Sequence, residues 1–410
     1  MPRGGRGDVD SEIASRVVLS RALDDSYAPE VRKHITELTV TRMIGSAAYR
    51  FAAPFLAIIA RGLDVSLKEI GIAVAIAELC GLFSPVVGHV VDRLARRTGM
   101  TLGMGGVAVG TALAAGSNGV AMFTVALVLT SQSKAMFDLS MGAWIIDHTP
   151  FAMRGRVIGL NETSWAGALL IGVSVMGLIL AIGGWRAGYI AGSIAAAMAT
   201  ALVWVRVPDR SVAQRHEAAP PQAIGRIGST GLFVIGATLA MTAASHCLII
   251  TFGSWLEDTY NFHASSITAV VFGLGLVELI ASVTSARRTD RWGKERSTLF
   301  GAALMVPGAA GMLLLHSHLW PGLLAFATLL LGFEFAIVSV LGLGERVMPG
   351  APARGLGMLF AAGTFGRALA TVPATALYAR GGMGDTAALA TALAAVTFLV
   401  CWRLQHVART

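Results

Sequence analysis

Charge is scarce in this chain. Asp, Glu, Lys and Arg make up 14% of its 410 residues, against roughly 25% in soluble domains. With 55% hydrophobic residues and a mean hydropathy of +0.67, an ordinary soluble surface is excluded. Cysteine is scarce too. Cys80, Cys247 and Cys401 each lie inside an apolar run, so no disulfide framework is indicated. No Walker-type phosphate loop occurs. Gly103, Gly105, Gly106 and Gly110 sit in an apolar run without a preceding strand or a phosphate-binding lysine, so they read as helix-packing positions. Nothing therefore points to ATP drive within the chain. His316 and His318 stand in a short loop without carboxylate or cysteine partners, and His246 is alone in an apolar run. Neither arrangement calls for a metal, no cofactor is implied, and no nucleophile–base set stands out for an enzyme. The first 30 residues carry Arg3, Arg6, Asp8, Asp10, Glu12 and Arg16 without an apolar core segment. That is not a signal peptide; it reads as a cytoplasmic tail in which residues 13–23 lie as an interfacial helix.

What is abundant is long apolar sequence. Spanning β-strands would need about 9–11 residues with strict alternation. The runs here are longer and do not alternate, so they read as membrane-spanning helices of about 20 residues. Twelve are expected, at about 39–60, 70–91, 100–117, 121–146, 157–180, 187–206, 230–253, 266–286, 298–315, 321–343, 356–379 and 385–402. The polar stretch from Val207 to Gly228, with Pro208, Pro220 and Pro221, is the one long break. The expected organisation is a tail (1–38), a six-helix bundle (39–206), a linker (207–229), a second six-helix bundle (230–404) and a short C-terminus (405–410). The net charge of +8 does not point to nucleic acid, because the arginines fall in loops between apolar runs. Twenty-four of the 32 Lys and Arg lie on one side if the termini are together, and Arg61, Lys68, Arg186 and Arg380 lie on the other. By the positive-inside rule both termini are cytoplasmic.

The loop after the second span reads Gly88-His89-Val90-Val91-Asp92-Arg93-Leu94-Ala95-Arg96-Arg97, and a second copy runs from Ala286 through Asp290, Arg291, Gly293 and Lys294. A half-length repeat of a charge cluster at a membrane face indicates two related halves. Ionised groups inside spans cost at least about 2.5–3.5 kcal/mol, so each needs a partner or a wet cavity. The candidates are Arg50, Glu78, Lys134, Asp138, Glu162, Glu278, Glu334 and Arg367; Arg42 is shallow enough to reach the surface. Spans 3, 6, 9 and 12 hold none, which places them in an outer layer. Asp138 precedes Asp147 by nine residues and Glu334 precedes Glu345 by eleven, which puts both acids about 14–16 Å deep, near mid-bilayer.

These residues and their spacing resemble the major facilitator superfamily. Its loop motif, G-x-x-x-D-R/K-x-G-R/K-R/K, is matched by Gly88, Asp92, Arg93, Arg96 and Arg97, with Ala95 in place of the second glycine. Lys134…Phe137-Asp138, Asp147-His148-Thr149-Pro150, Arg154-Gly155-Arg156 and Gly184-Trp185-Arg186 resemble the bacterial drug/sugar efflux permeases, the proton-antiporter branch. The resemblance implies an all-α membrane protein of two pseudo-symmetric six-helix bundles in the bacterial inner membrane. It implies proton-coupled efflux of a small organic solute by alternating access, by a chain acting as a monomer in the lipid bilayer. The alternatives are proton- or ion-coupled uptake of an organic anion, and a transporter-like scaffold or sensor that moves nothing.

In that frame the residues take roles. Asp138, with Lys134 one turn before it, and Glu334 are the proton-coupling candidates, since a carboxyl out of water exchanges its charge readily; Arg367 is the expected partner of Glu334. Arg50, Tyr49, Glu162, Trp165 and Arg367 are candidates for substrate contact, in a cavity lined by spans 1, 4, 7 and 10 with Phe51, Phe137, Phe333 and Phe335; Arg50 either binds an anionic substrate group or only pairs with an acid across the bundle. Glu78 and Glu278 are expected to pair with interior arginines. Gly88, Asp92, Arg93, Arg97, Asp147, Asp290, Arg291 and Glu345 form the expected gates, with Arg93 or Arg97 reaching Asp147 and Arg291 reaching Glu345.

Overall fold

The computed structural model describes residues 23, 26–149, 154–208, 227–348 and 352–407. Residues 13–22 of the expected interfacial helix and most of the linker lie outside the described residues. Among those described, nine helical stretches are long and apolar enough to cross a membrane. Two of them, Leu160–Arg206 and Gly355–Val407, each hold two spans. Gly184 has φ 80° and Gly382 has φ 70°, a conformation that L side chains resist. At each the chain doubles back: Thr386 Oγ1 donates to the Ala374 carbonyl at 3.3 Å, although twelve residues of straight helix would span about 18 Å. The two turns are 198 residues apart, so they close equivalent pairs of spans in the two halves. Residues 67–93 add a further span, with a 3₁₀ turn at Gly81–Phe83 between Leu67–Cys80 and Ser84–Arg93, and bring the spans to twelve. Its start is fixed by a capping box: Ser66 N donates to Glu69 Oε2 at 2.8 Å while Glu69 N donates to Ser66 Oγ at 3.2 Å.

A β-branched residue at either glycine turn is strained wherever its side chain points. Gly184→Val and Gly382→Val should each lose about 1–2 kcal/mol of stability. Thermal unfolding in detergent, with Gly273→Ala as the control in open helical space, checks this.

Span 1 begins earlier than its hydropathy suggests. It runs Pro29–Gly62 rather than from about 39. Glu30, Arg32, Lys33 and Glu37 mask an apolar stripe of Val31, Ile35 and Leu38 that is buried against Trp144, Ala199 and Val203. Spans 4 (Val120–His148), 7 (Ser229–Tyr260) and 8 (Ala264–Trp292) likewise outrun their apolar cores.

The two halves meet where span 2 packs on span 11, span 5 on span 8, and span 7 on the middle of span 1. In span 5 the helix widens to a π-helix over Ala168–Val173 at its packing surface with span 8. Beyond mid-depth, on the side away from the termini, the halves are closed. Gly253 of span 7 lies so near Pro54 of span 1 that a Cβ would overlap the Pro54 carbonyl, and Arg61 forms an ion pair with Glu257 across the same seam. The opposite third of span 2, Ser84–Arg93, packs instead on span 4 of its own half.

Candidate functional site

Between the halves lies a cavity of ≈ 110 Å³. That is smaller than the roughly 300–1,000 Å³ of pockets that hold drug-sized ligands, so its centre is contracted in this state. Spans 1, 2, 4, 5, 7, 8, 10 and 11 supply its wall and spans 3, 6, 9 and 12 do not. The lining is therefore wider than spans 1, 4, 7 and 10. Of the four phenylalanines expected there, only Phe333 lines it. Phe51, Phe137 and Phe335 are buried in the bundles; Phe51, for instance, lies 4.9 Å from the Tyr189 ring. Phe137 packs on span 3 beside Met100 and Met104, where Gly103 lets the two backbones approach closely. Phe252 and Phe326, 5.3 Å apart, take the lining positions instead.

Two ion pairs cross this cavity, each with its guanidinium from one half and its carboxylate from the other. Arg50 of span 1 meets Glu278 of span 8 through both terminal nitrogens, at 2.8 and 2.5 Å. The same Arg50 donates to the Trp165 carbonyl at 2.9 Å and lies 4.6 Å over the Trp165 ring. Reciprocally, Arg367 of span 11 donates from Nε to Glu78 of span 2 at 3.0 Å. Tyr49 donates its hydroxyl to the other Glu78 oxygen and accepts from Arg367 at 3.3 Å. Arg367, expected beside Glu334, is thus spent on Glu78. Arginine is suited to this duty, since its fork binds a carboxylate with two parallel bonds.

A second network stays within the first half. Lys134 donates to Asp138 at 2.5 Å. Arg42 lies 3.4 Å from Asp138 and 3.1 Å from Glu162, and also donates to the Asn161 carbonyl and Ser164 Oγ. Arg42 therefore does not reach the membrane surface. With the helix beginning at Pro29, it lies thirteen residues, about 20 Å, along the helix axis, and it is buried. Two cations and two acids close on one another here. Lys134 Nζ also lies 5.6 Å over the Trp165 ring, so Trp165 stands between this network and Arg50.

Glu334 is the exception. It is 2% exposed, it lines the cavity, and among the described residues its hydrogen-bond partner is Ser282 Oγ at 3.5 Å. No Lys or Arg pairs with it among them. His246 of span 7 also lines the cavity, is 6% exposed, and its Nε2 has no partner among the described residues.

At the terminus-proximal face Asp147 is met by Arg96 Nε at 3.0 Å, not by Arg93 or Arg97. Arg97 lies 4.7 Å over the Trp204 ring, and Arg93 and Arg291 are exposed. In the second copy of the loop, Arg346 pairs with Glu295 at 2.8 Å and Lys294 donates to the Gly342 carbonyl at 2.9 Å. Gly88 and the side chains of Asp92, Asp290 and Glu345 lie outside the described residues.

Twelve spans in two related halves, folded around an ion-paired central cavity, define a membrane transporter. The chain belongs to the major facilitator superfamily, whose family model matches residues 38–375. An uncharacterized transporter of Escherichia coli O157:H7, YgaY, is 24% identical over 391 residues, covering 91% of this chain and 95% of that protein. Multidrug resistance protein 1 of Bacillus subtilis is 23% identical over 306 residues, covering 73% and 78%. Among solved structures, a bacterial homologue of the human lysosomal transporter Spinster, in an inward-facing and unoccupied conformation, superposes with a TM-score of 0.73. Its identity is 13%, and 92% of this chain and 98% of that one are covered. The human organic anion transporter MFSD10 superposes with a TM-score of 0.64 at 18% identity, covering 91% and 100%.

Proposed function

We propose that this chain is a proton-coupled exporter of a small organic solute, working as a monomer in a bacterial inner membrane with both termini in the cytoplasm. The observation that carries the reading is Glu334: a buried carboxyl on the cavity wall, with no cation paired to it among the described residues. Such a group can take and give up a proton as the two halves rock, whereas a carboxylate held by two cations gives up its charge only with its network. For that reason Glu334, and not Asp138, is the principal proton carrier in this reading. Lys134, Asp138, Arg42 and Glu162 act as a neutral block that orients Trp165 and, through it, Arg50. The state described is closed toward the outside, with Arg61–Glu257 and the Pro54–Gly253 approach as the outer gate and Arg96–Asp147 as a strut of the inner one. The name of the Bacillus subtilis relative is in keeping with export. Uptake of an organic anion would require Arg50 or Arg367 to leave its carboxylate first.

Proteoliposomes with an imposed pH gradient test this. Matched panels of organic cations and organic anions are added while a trapped pH-sensitive dye reports proton movement. At least one solute should drive proton flux in the wild type, and Glu334→Gln should reduce that flux by roughly 10²-fold or more, the typical loss with an essential proton-transfer group. Solute movement that ignores the gradient, or full coupling in Glu334→Gln, would contradict the reading.

A further inference from the structure

Counted with every group ionised, the charges on the cavity wall do not balance. Arg50 faces Glu278 and Arg367 faces Glu78, so these four groups sum to zero. The neighbouring block of Arg42, Lys134, Asp138 and Glu162 also sums to zero. Glu334 is left over. Among the described residues, the charged groups that act most strongly on it are Glu278 of span 8, Arg50 of span 1 and Glu162 of span 5. Two of these three are acids, and the one cation already holds Glu278 with both terminal nitrogens. A carboxylate can accept about four hydrogen bonds, and among the described residues Glu334 uses one long one, to Ser282. An entering anion would meet Glu334 with no free guanidinium to receive it. An entering cation would complete the charge count.

The rest of the wall states what such a cation must carry. Phe252 and Phe326 form a tilted aromatic pair, and Phe333 lines the same cavity one residue before Glu334. Aromatic faces attract cations and cover apolar bodies. His246 adds one buried ring nitrogen without a partner among the described residues, enough for a single directional hydrogen bond.

We infer that the cavity is a binding site for a compact organic monocation whose positive centre sits at Glu334 and whose apolar or aromatic body lies against Phe252, Phe326 and Phe333. The inference rests on the transporter reading and deepens it by naming the substrate class. Proton and cation then occupy the same carboxylate in turn, which gives exchange without a second coupling site.

The test is equilibrium binding to the purified full-length chain by calorimetry. The probes are benzyltrimethylammonium, whose charge does not change with pH, and benzenesulfonate, its anionic counterpart. The ammonium should bind and the sulfonate should not. Ammonium affinity should fall as the pH is lowered, by up to tenfold per unit while proton and cation compete. Glu334→Gln should weaken ammonium binding at least tenfold and remove its pH dependence, and Glu334→Asp, which keeps the charge, should retain both. Monodisperse elution and an unchanged unfolding temperature establish that the variants are folded. If Glu334→Gln fails that control, Phe326→Ala replaces it, with ammonium binding weakened several-fold as the expected result. Sulfonate binding in preference to ammonium, absence of ammonium binding to the wild type, or ammonium binding that survives in the folded variant overturns the inference. Should the sulfonate bind and still be driven by a pH gradient, the cation assignment falls while proton coupling stands. Should the ammonium bind at Glu334 with flux that ignores the gradient, the assignment stands and proton coupling falls.

Discussion

Arg50→Ala should destabilise the protein by about 3–5 kcal/mol, the usual cost of leaving one member of a buried ion pair without the other. Glu278 is 1% exposed and takes both terminal nitrogens of Arg50, so truncating the arginine strands a carboxylate between the halves. Next to it stands Glu334, and two neighbouring acids without a cation repel each other. Replacing both partners, as Arg50→Met with Glu278→Leu, should recover most of the loss, because apolar groups of similar volume carry no desolvation penalty. The same cycle on Arg367 and Glu78 should give a smaller coupling. Arg367 reaches Glu78 through a single nitrogen at 3.0 Å, and Tyr49 stays behind as a donor to Glu78. Thermal unfolding of the single and double variants in lipid nanodiscs measures both coupling energies. Additive single losses in the Arg50–Glu278 cycle would mean that the pair does not hold the halves together.

Gly253→Val should displace the protein from the state described here. The new side chain would meet main chain at Pro54, which cannot swing aside as a flexible side chain would. Overpacking of this kind costs about 1–3 kcal/mol, which changes the ratio of the two conformations by roughly 5–150-fold. The clash exists only while spans 1 and 7 are together on the side away from the termini, so the variant should populate the state open on that side. A cysteine at Ile250, buried on the cavity wall about one turn from Gly253, should then react faster with a membrane-impermeant maleimide, and solute flux should fall severely even though the protein remains folded. Arg61→Ala should act in the same direction and much more weakly. The Arg61–Glu257 pair is largely exposed on its arginine side, and such pairs contribute about 0–1 kcal/mol.

These two expectations mark what the sequence made legible. The class of fold was readable because apolar runs of spanning length and a repeated loop are properties of composition and spacing. The interior charges were readable for the same reason: an ionised group in an apolar run announces itself. Their partners were not readable. Glu78 and Arg367 are 289 residues apart, and sequence alone ranks no acid above another as the mate of a given arginine. The error on Arg42 had a local cause. Four charged residues in the first turns of span 1 conceal a buried stripe, so hydropathy starts the helix ten residues late and Arg42 looks shallow. The missing signal was periodicity, with Val31, Ile35 and Leu38 on one face. Phe137 packs with Met100 and Met104 of span 3 and Phe335 with Trp292 and Phe300, whereas Phe333, equally adjacent to Glu334, lines the cavity; adjacency to a charged residue does not say which way a ring points. The Pro54–Gly253 approach was beyond reach, because one glycine among 48 carries no mark of which helix it touches.

The central claim is that the two halves rock about a cavity whose unpaired acid, Glu334, answers to protons. Paired spin labels test it most directly: Lys68 with Asn261 on the side away from the termini, and Arg93 with Arg291 at the other, measured by electron–electron resonance in nanodiscs across pH 5 to 9. The account predicts two distance populations at each end, one lengthening as the other shortens, with proportions that change with pH in the wild type and not in Glu334→Gln. A single distance at each end over the whole range, or an identical pH response in Glu334→Gln, would contradict it.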